Sequence, residues 1–295
     1  MFNDAKDIVY LNTARNCLRY IIKAYNIRQI YLPYYTCPVV WQAVKKEGCK
    51  IGFYHIDSGF MPICDFEEND YIVYTNYFGI CARNVKQLAN KYKNLIIDNA
   101  QAFYMNNSGL ASFNSIRKFF GNSDGALLFC DKKIDIDLVQ DDSEIRLSEL
   151  LRRKNLAKHD FCTEFPNVDE YLVDEPIKLM SKRTKTFFDS IDFKSDKEQR
   201  IQKFDYLHSR LSKFNELKFV LDSGDVPMNY PFMVKNDNLR KNLMKRSLRI
   251  EKFWSPINSK SIESEFQKYI LPLPIDIRYS MEDMCKMVDI ILEFV

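Results

Sequence analysis

Glycine is scarce, with 8 in 295 residues, and no Gly-x-Gly-x-x-Gly follows a strand-like run, which excludes the usual dinucleotide-binding turn. Histidine occurs three times, at His55, His159 and His208, too isolated for a metal site or a catalytic triad, and all three read as structural or surface residues. The 8 cysteines stand singly at 17, 37, 49, 64, 81, 130, 162 and 285. Without Cys-x-x-Cys pairs or disulfide-scaffold density they read as reduced thiols. No run approaches the roughly 20 apolar residues of a membrane span, and the opening Met1-Phe-Asn-Asp-Ala-Lys-Asp7 lacks a basic stretch leading into an apolar one. A cytoplasmic protein with no membrane contact is expected. Charge of one sign is also lacking: 43 Lys and Arg against 40 Asp and Glu leave +3, which gives no general case for nucleic acid and points to small-molecule partners.

What is present is apolar and aromatic: 46% hydrophobic residues, with 22 Phe and 17 Tyr, are enough for a large core. The first half alternates β-branched or aromatic runs with amphipathic stretches, the mark of an α/β unit with a mainly parallel sheet covered by helices. Thr13 caps a helix over 14–25, and a second helix runs over 39–46 until Gly48 stops it. Strands are expected over 29–32, 50–56, 71–75, 95–98, 111–115 and 126–130, with a helix over 85–92 crossing between two of them. The pattern weakens after the aspartate-dense 132–142 stretch, and the boundary is placed at Pro176. Residues 1–176 then form a large α/β domain and 177–295 a smaller α+β domain. The smaller one contains a long helix over 194–214, a strand over 230–234 and a last helix capped by Ser280 with Asp283 in its first turn.

Three features carry chemistry. Leu95-Ile-Ile-Asp98 is a buried-looking strand ending in a carboxylate, where ligands of open α/β sheets bind, although a turn or cap aspartate is the commoner reading of such a run alone. Lys118 lies beside Phe119 and Phe120, where an isolated lysine is ordinarily a solvated loop charge. An apolar surround would favour its neutral amine, the form that attacks an aldehyde. Thr13-Ala-Arg-Asn16 opens a helix with free N–H groups and a guanidinium, which suits a phosphate, though ordinary capping explains it equally.

Together and in this order the motifs resemble the DegT/DnrJ/EryC1/StrS family of sugar aminotransferases, in a short and divergent form. Asn12-Thr-Ala-Arg-Asn-Cys-Leu18 is similar to the family's phosphate-loop helix start, and Leu32-Pro-Tyr-Tyr-Thr-Cys-Pro38 to its Pro-Ser-Tyr-Thr segment. Tyr77-Phe-Gly79 resembles its His-x-Phe-Gly turn, Ile97-Asp-Asn-Ala-Gln-Ala102 its Glu-Asp-Ala-Ala-Gln-Ala, and Ser115-Ile-Arg-Lys118 with Asp124-Gly-Ala126 its Ser-x-x-Lys…Gly-Gly. The resemblance implies the aspartate-aminotransferase-like fold type I and pyridoxal 5′-phosphate (PLP) as cofactor. Lys118 would hold it covalently and Asp98 would pair with its ring nitrogen. Gln101 would lie near its phenolic oxygen, Tyr35 against its ring, and Ser115 with the backbone of Ala14, Arg15 and Asn16 around its phosphate. It further implies a homodimer, an amino donor such as glutamate, and a keto sugar as acceptor, nucleotide-linked, on a route to surface polysaccharide or a glycoconjugate. Two departures stand out. Cys37 occupies the position the family gives an aromatic, and the Gly-x-Asn-x-Arg segment that reaches the neighbouring subunit's phosphate is missing, with Met180-Ser181-Lys182 as the candidate to replace it. The alternative is a degenerate member acting as a binding or regulatory protein.

Overall fold

The computed structural model describes residues 7–142, 161–162, 175–250, 252–254 and 261–295. His159 lies outside them. The first half builds a seven-stranded sheet from β1 (Ile8–Leu11), β2 (Gln29–Pro33), β3 (Lys50–Tyr54), β4 (Ile72–Thr75), β5 (Leu95–Asn99), β6 (Ala111–Asn114) and β7 (Ala126–Phe129), in the order β1-β7-β6-β5-β4-β2-β3. Strands β2 to β6 pair in parallel, and β7 runs antiparallel to both its neighbours, β6 and β1.

Both faces of this sheet are covered, which is why its central strands are apolar without interruption. Val73 and Ile96 join Leu18, Ile21, Val40 and Val44 of α1 (Ala14–Ala24) and α2 (Pro38–Lys46) on one face. Their neighbours Ile72, Tyr74, Leu95 and Ile97 point the other way, toward Val85 and Leu88 of α3 (Ala82–Lys91) and toward the second half of the chain. Between β6 and β7 a single helical turn, α4 (Ile116–Phe120), carries Lys118.

The second half contributes α5 (Lys182–Asp189), α6 (Phe193–Leu211), α7 (Leu239–Lys245), α8 (Ile262–Tyr269) and α9 (Met281–Leu292). Strands β9 (Asn229–Met233) and β11 (Ile270–Pro274) pair antiparallel, and the two-residue β8 (Phe161–Cys162) and β10 (Leu248–Arg249) pair in parallel. Pro176 marks a change of composition rather than a gap in packing: Phe204, Leu207, Tyr230, Phe232, Leu271 and Met287 share one core cluster with Tyr35, Tyr54, Tyr74 and Ile97 of the first half. Among the described residues no helix is long and apolar enough to cross a membrane.

Candidate active site

The carboxyl ends of β5 and β6 and the start of α1 converge on one cavity. Its wall includes Thr13, Ala14 and Arg15, then Cys37, Val39 and Val40, then Asp98 and Ala100, and finally Ser115, Arg117 and Lys118. Local sequence explains each approach. Thr13 stays extended (φ −146°) and its hydroxyl accepts from the Asn16 N–H at 3.1 Å, so α1 begins there with its first amides at the cavity. Pro38 opens α2, where a missing N–H costs nothing, and leaves Cys37 just before the helix. Ser115 repeats the device for α4, its hydroxyl accepting from the Lys118 N–H at 3.2 Å, while Gly121 leaves the turn in the left-handed region (φ +68°).

Asp98 is 5% exposed. Burial pushes its pKa above the ordinary value, while the nearby Lys118 charge and the Ala100 N–H, donating at 2.9 Å, pull it back. The neighbouring Cys17 thiol is pushed up by burial first and by the Asp98 charge second. An acid held in an apolar setting, with one lysine within electrostatic reach, gains from any cation placed beside it.

Three other residues expected at the cofactor do not line this cavity. Tyr35 sits in the core behind it, its ring 5.6 Å from Tyr77 in a stacked arrangement and 4.5 Å from Trp254 edge-on, and its carbonyl accepts from the Tyr77 hydroxyl at 2.8 Å. The chain turns at Thr36, so Cys37 takes the wall position instead. Gln101 is committed to the Tyr77–Gly79 turn, where its Oε1 accepts the Phe78 N–H at 2.6 Å. That turn also requires Gly79, at φ +74°, because a Cβ there would meet the Gln101 carbonyl oxygen at 2.6 Å. The Asn16 backbone N–H is spent on Thr13, and its side-chain amide donates to Asn12 Oδ1 at 2.9 Å and to the Pro176 carbonyl at 2.7 Å. Asn16 ties α1 to the residues that begin the second half.

Ser181, in the segment considered as a replacement for Gly-x-Asn-x-Arg, is occupied elsewhere. Its N–H and hydroxyl donate to the fully buried Asp124 at 2.7 and 2.8 Å, beside the Thr184 hydroxyl on the same carboxylate. Reasoning from sequence missed Arg117, which neighbours the lysine and lines the cavity; its place in Ser115-Ile-Arg-Lys118 was the available signal. Of the histidines, His55 pairs with Glu263 at 2.9 Å while stacking on Tyr34, and His208 lies 3.4 Å from the Tyr230 hydroxyl. Among the described residues no cluster of His, Cys, Asp and Glu could hold a metal ion.

No protein-family model and no curated protein sequence matches the chain. Solved structures do. A DegT/DnrJ/EryC1/StrS aminotransferase from Brucella abortus is 14% identical, with 98% of this chain covering 86% of that one at a TM-score of 0.61. NtdA of Bacillus subtilis, solved with bound cofactor PMP, is 12% identical over 98% of this chain and 73% of its own, at 0.66. PseC of Helicobacter pylori, an aminotransferase of pseudoaminic acid biosynthesis, is 14% identical over 98% and 86%, also at 0.66. At such identities the likeness speaks to architecture: the chain has the fold of these aminotransferases, fold type I.

Proposed function

We propose that this chain is a PLP-dependent aminotransferase that moves an amino group, with glutamate as donor, to a keto sugar, nucleotide-linked, for surface polysaccharide or glycoconjugate synthesis. It would act in the cytoplasm as a homodimer. The observation that supports this most is that Asp98, Lys118, Ser115 and the first turn of α1 open onto one cavity within the fold of sugar-processing aminotransferases.

The residues fit such a cofactor. Asp98 pays a desolvation cost that a protonated ring nitrogen would offset, which makes it the partner for that nitrogen. The α1 amides with Thr13, Ser115 and the guanidiniums of Arg15 and Arg117 suit a phosphate dianion. Val39, Val40, Cys37 and Ala100 supply apolar wall for a ring. When bound, PLP supplies a carbonyl that takes up the amino group and a ring that accepts electrons. Lys118 would hold it covalently, and its neutral amine would serve as the base for the proton on the donor's α-carbon. The Asp98 carboxylate would pair with the ring nitrogen, and the apolar wall of Val39, Val40 and Ala100 would exclude water from the site.

One observation favours a non-catalytic binding role: Cys37, rather than an aromatic, lines the cavity. The joint presence of Lys118, Asp98 and Ser115 weighs against it. An absorption spectrum with PLP decides between them. A visible band that glutamate bleaches and borohydride fixes to Lys118, absent in Lys118→Ala, is the expected result. No band in the wild type would overturn the enzymatic reading.

A further inference from the structure

Lys118 stands on one turn of helix, and a helix of five residues has too few internal hydrogen bonds to hold itself. Its amino end is tied by Ser115. Its carboxyl end is tied from the other half of the molecule. Arg200, on α6, donates from Nη2 to the Phe119 carbonyl at 2.8 Å, and its guanidinium lies 3.9 Å over the Phe119 ring. A cation at this end also complements the helix dipole.

Arg200 is itself fixed. It is 1% exposed, and its Nε donates at 2.8 Å to Asp196 Oδ2, one turn earlier on α6. The same oxygen accepts the Tyr104 hydroxyl at 2.7 Å. Tyr104 lies on the segment that leads away from Asp98, so the first two turns of α6 touch both the lysine's helix and the chain that follows the aspartate. The far end of α6, through Phe204, Leu207 and Leu211, is packed into the core of β9 and β11.

Stability alone is a poor reason for this arrangement. Asp196 balances the charge, but Arg200 Nη1 has no hydrogen-bond partner among the described residues, and a buried ion pair is commonly no more stable than a well-packed apolar pair in its place. We propose that Arg200 is a positioning residue: it aims the Lys118 turn and makes the seating of the C-terminal unit a condition for the lysine's placement. The role for Lys118 rests on the cofactor reading above; the clamp itself does not.

The test has two arms. In cofactor-free protein, amide hydrogen exchange over residues 116–121 should quicken at least about tenfold in Arg200→Met, while exchange in β4 and β5 stays as in the wild type. In protein loaded with PLP, the first-order rate at which glutamate bleaches the band should fall about tenfold or more, because small misplacements of a reacting group cost that much. The glutamate concentration giving half the maximal rate should stay within about threefold, and Arg200→Lys, which keeps the charge but not the fork or the stack on Phe119, should recover only part of the rate. Unchanged exchange over 116–121 overturns the clamp. Quickened exchange with an unchanged bleaching rate overturns the positioning role. If the wild type takes no PLP, the cofactor reading falls while the exchange arm still decides the clamp. Should Arg200→Met fail to fold, Tyr104→Phe, which removes one bond to Asp196, must quicken exchange over 116–121 selectively, and equal exchange overturns the inference.

Discussion

A buried carboxylate with a raised pKa has a thermodynamic signature. The native chain binds the Asp98 proton more tightly than the unfolded chain does, so its contribution to stability declines as pH rises from the ordinary carboxyl value of 3.8 through the native one. At neutral pH the charge is a standing cost. Asp98→Asn, without cofactor, should therefore melt at or above the wild-type temperature at pH 7, with the gap closing toward about pH 4 where the unfolded carboxyl protonates. The same variant should lose most of its affinity for PLP. Calorimetry beside a PLP titration checks both, and a destabilised Asp98→Asn at pH 7 would refute the assignment of cost to this charge. That Asp98, Ser115 and Lys118 come to one cavity was legible in sequence, because motif order carried them to one edge of the sheet. Tyr35 was misplaced for a local reason: two residues beyond a strand end, either Tyr35 or Cys37 could face the ligand, and only the turn at Thr36 decides. Arg200 lies 82 positions from Lys118 (200 − 118) and was illegible, since no periodicity joins them.

Caps give the elements their own test. Thr13→Ala and Ser280→Ala each remove a side-chain oxygen that satisfies a first-turn N–H, at about 1 kcal/mol apiece. Both should lower the midpoint of urea unfolding, but only Thr13→Ala should also weaken PLP binding, because α1 begins at the cavity and α9 does not. Equal PLP affinities in the two variants would detach the α1 terminus from the phosphate. Long amphipathic stretches and apolar strands appear within a few residues of where the sequence puts them, including α6 and the capping box of α9. Among the short elements that escaped, three show why. The four-residue β1 and five-residue α4 span too little chain for a period to show. Ile270-Leu-Pro-Leu-Pro274 carries two prolines that argue against a strand, yet among the described residues β11 pairs only with β9, which leaves room for residues that cannot donate.

At the scale of the whole molecule, amphipathicity told which side chains are buried but not against what, so the boundary at Pro176 was drawn from composition alone. The shared core of Tyr35, Tyr54 and Ile97 with Phe204, Tyr230 and Met287 predicts that the halves do not melt apart. Near- and far-ultraviolet dichroism should report one coincident unfolding transition, and a fragment of residues 1–176 should be insoluble or molten; two separated transitions would contradict the common core. PLP at a hundred times its dissociation constant should add about 2.7 kcal/mol to the intact chain. The same core bears on how the protein is made. While a ribosome adds residues 177–295, 119 in number (295 − 176) and roughly 6–24 s at ordinary rates, the face of the sheet bearing Tyr74 and Ile97 has α3 to rest on but not Phe204, Tyr230 or Met287. The nascent chain is thus most exposed to its neighbours when Lys118 is already synthesised but Arg200, which ties down its turn, has yet to leave the exit tunnel.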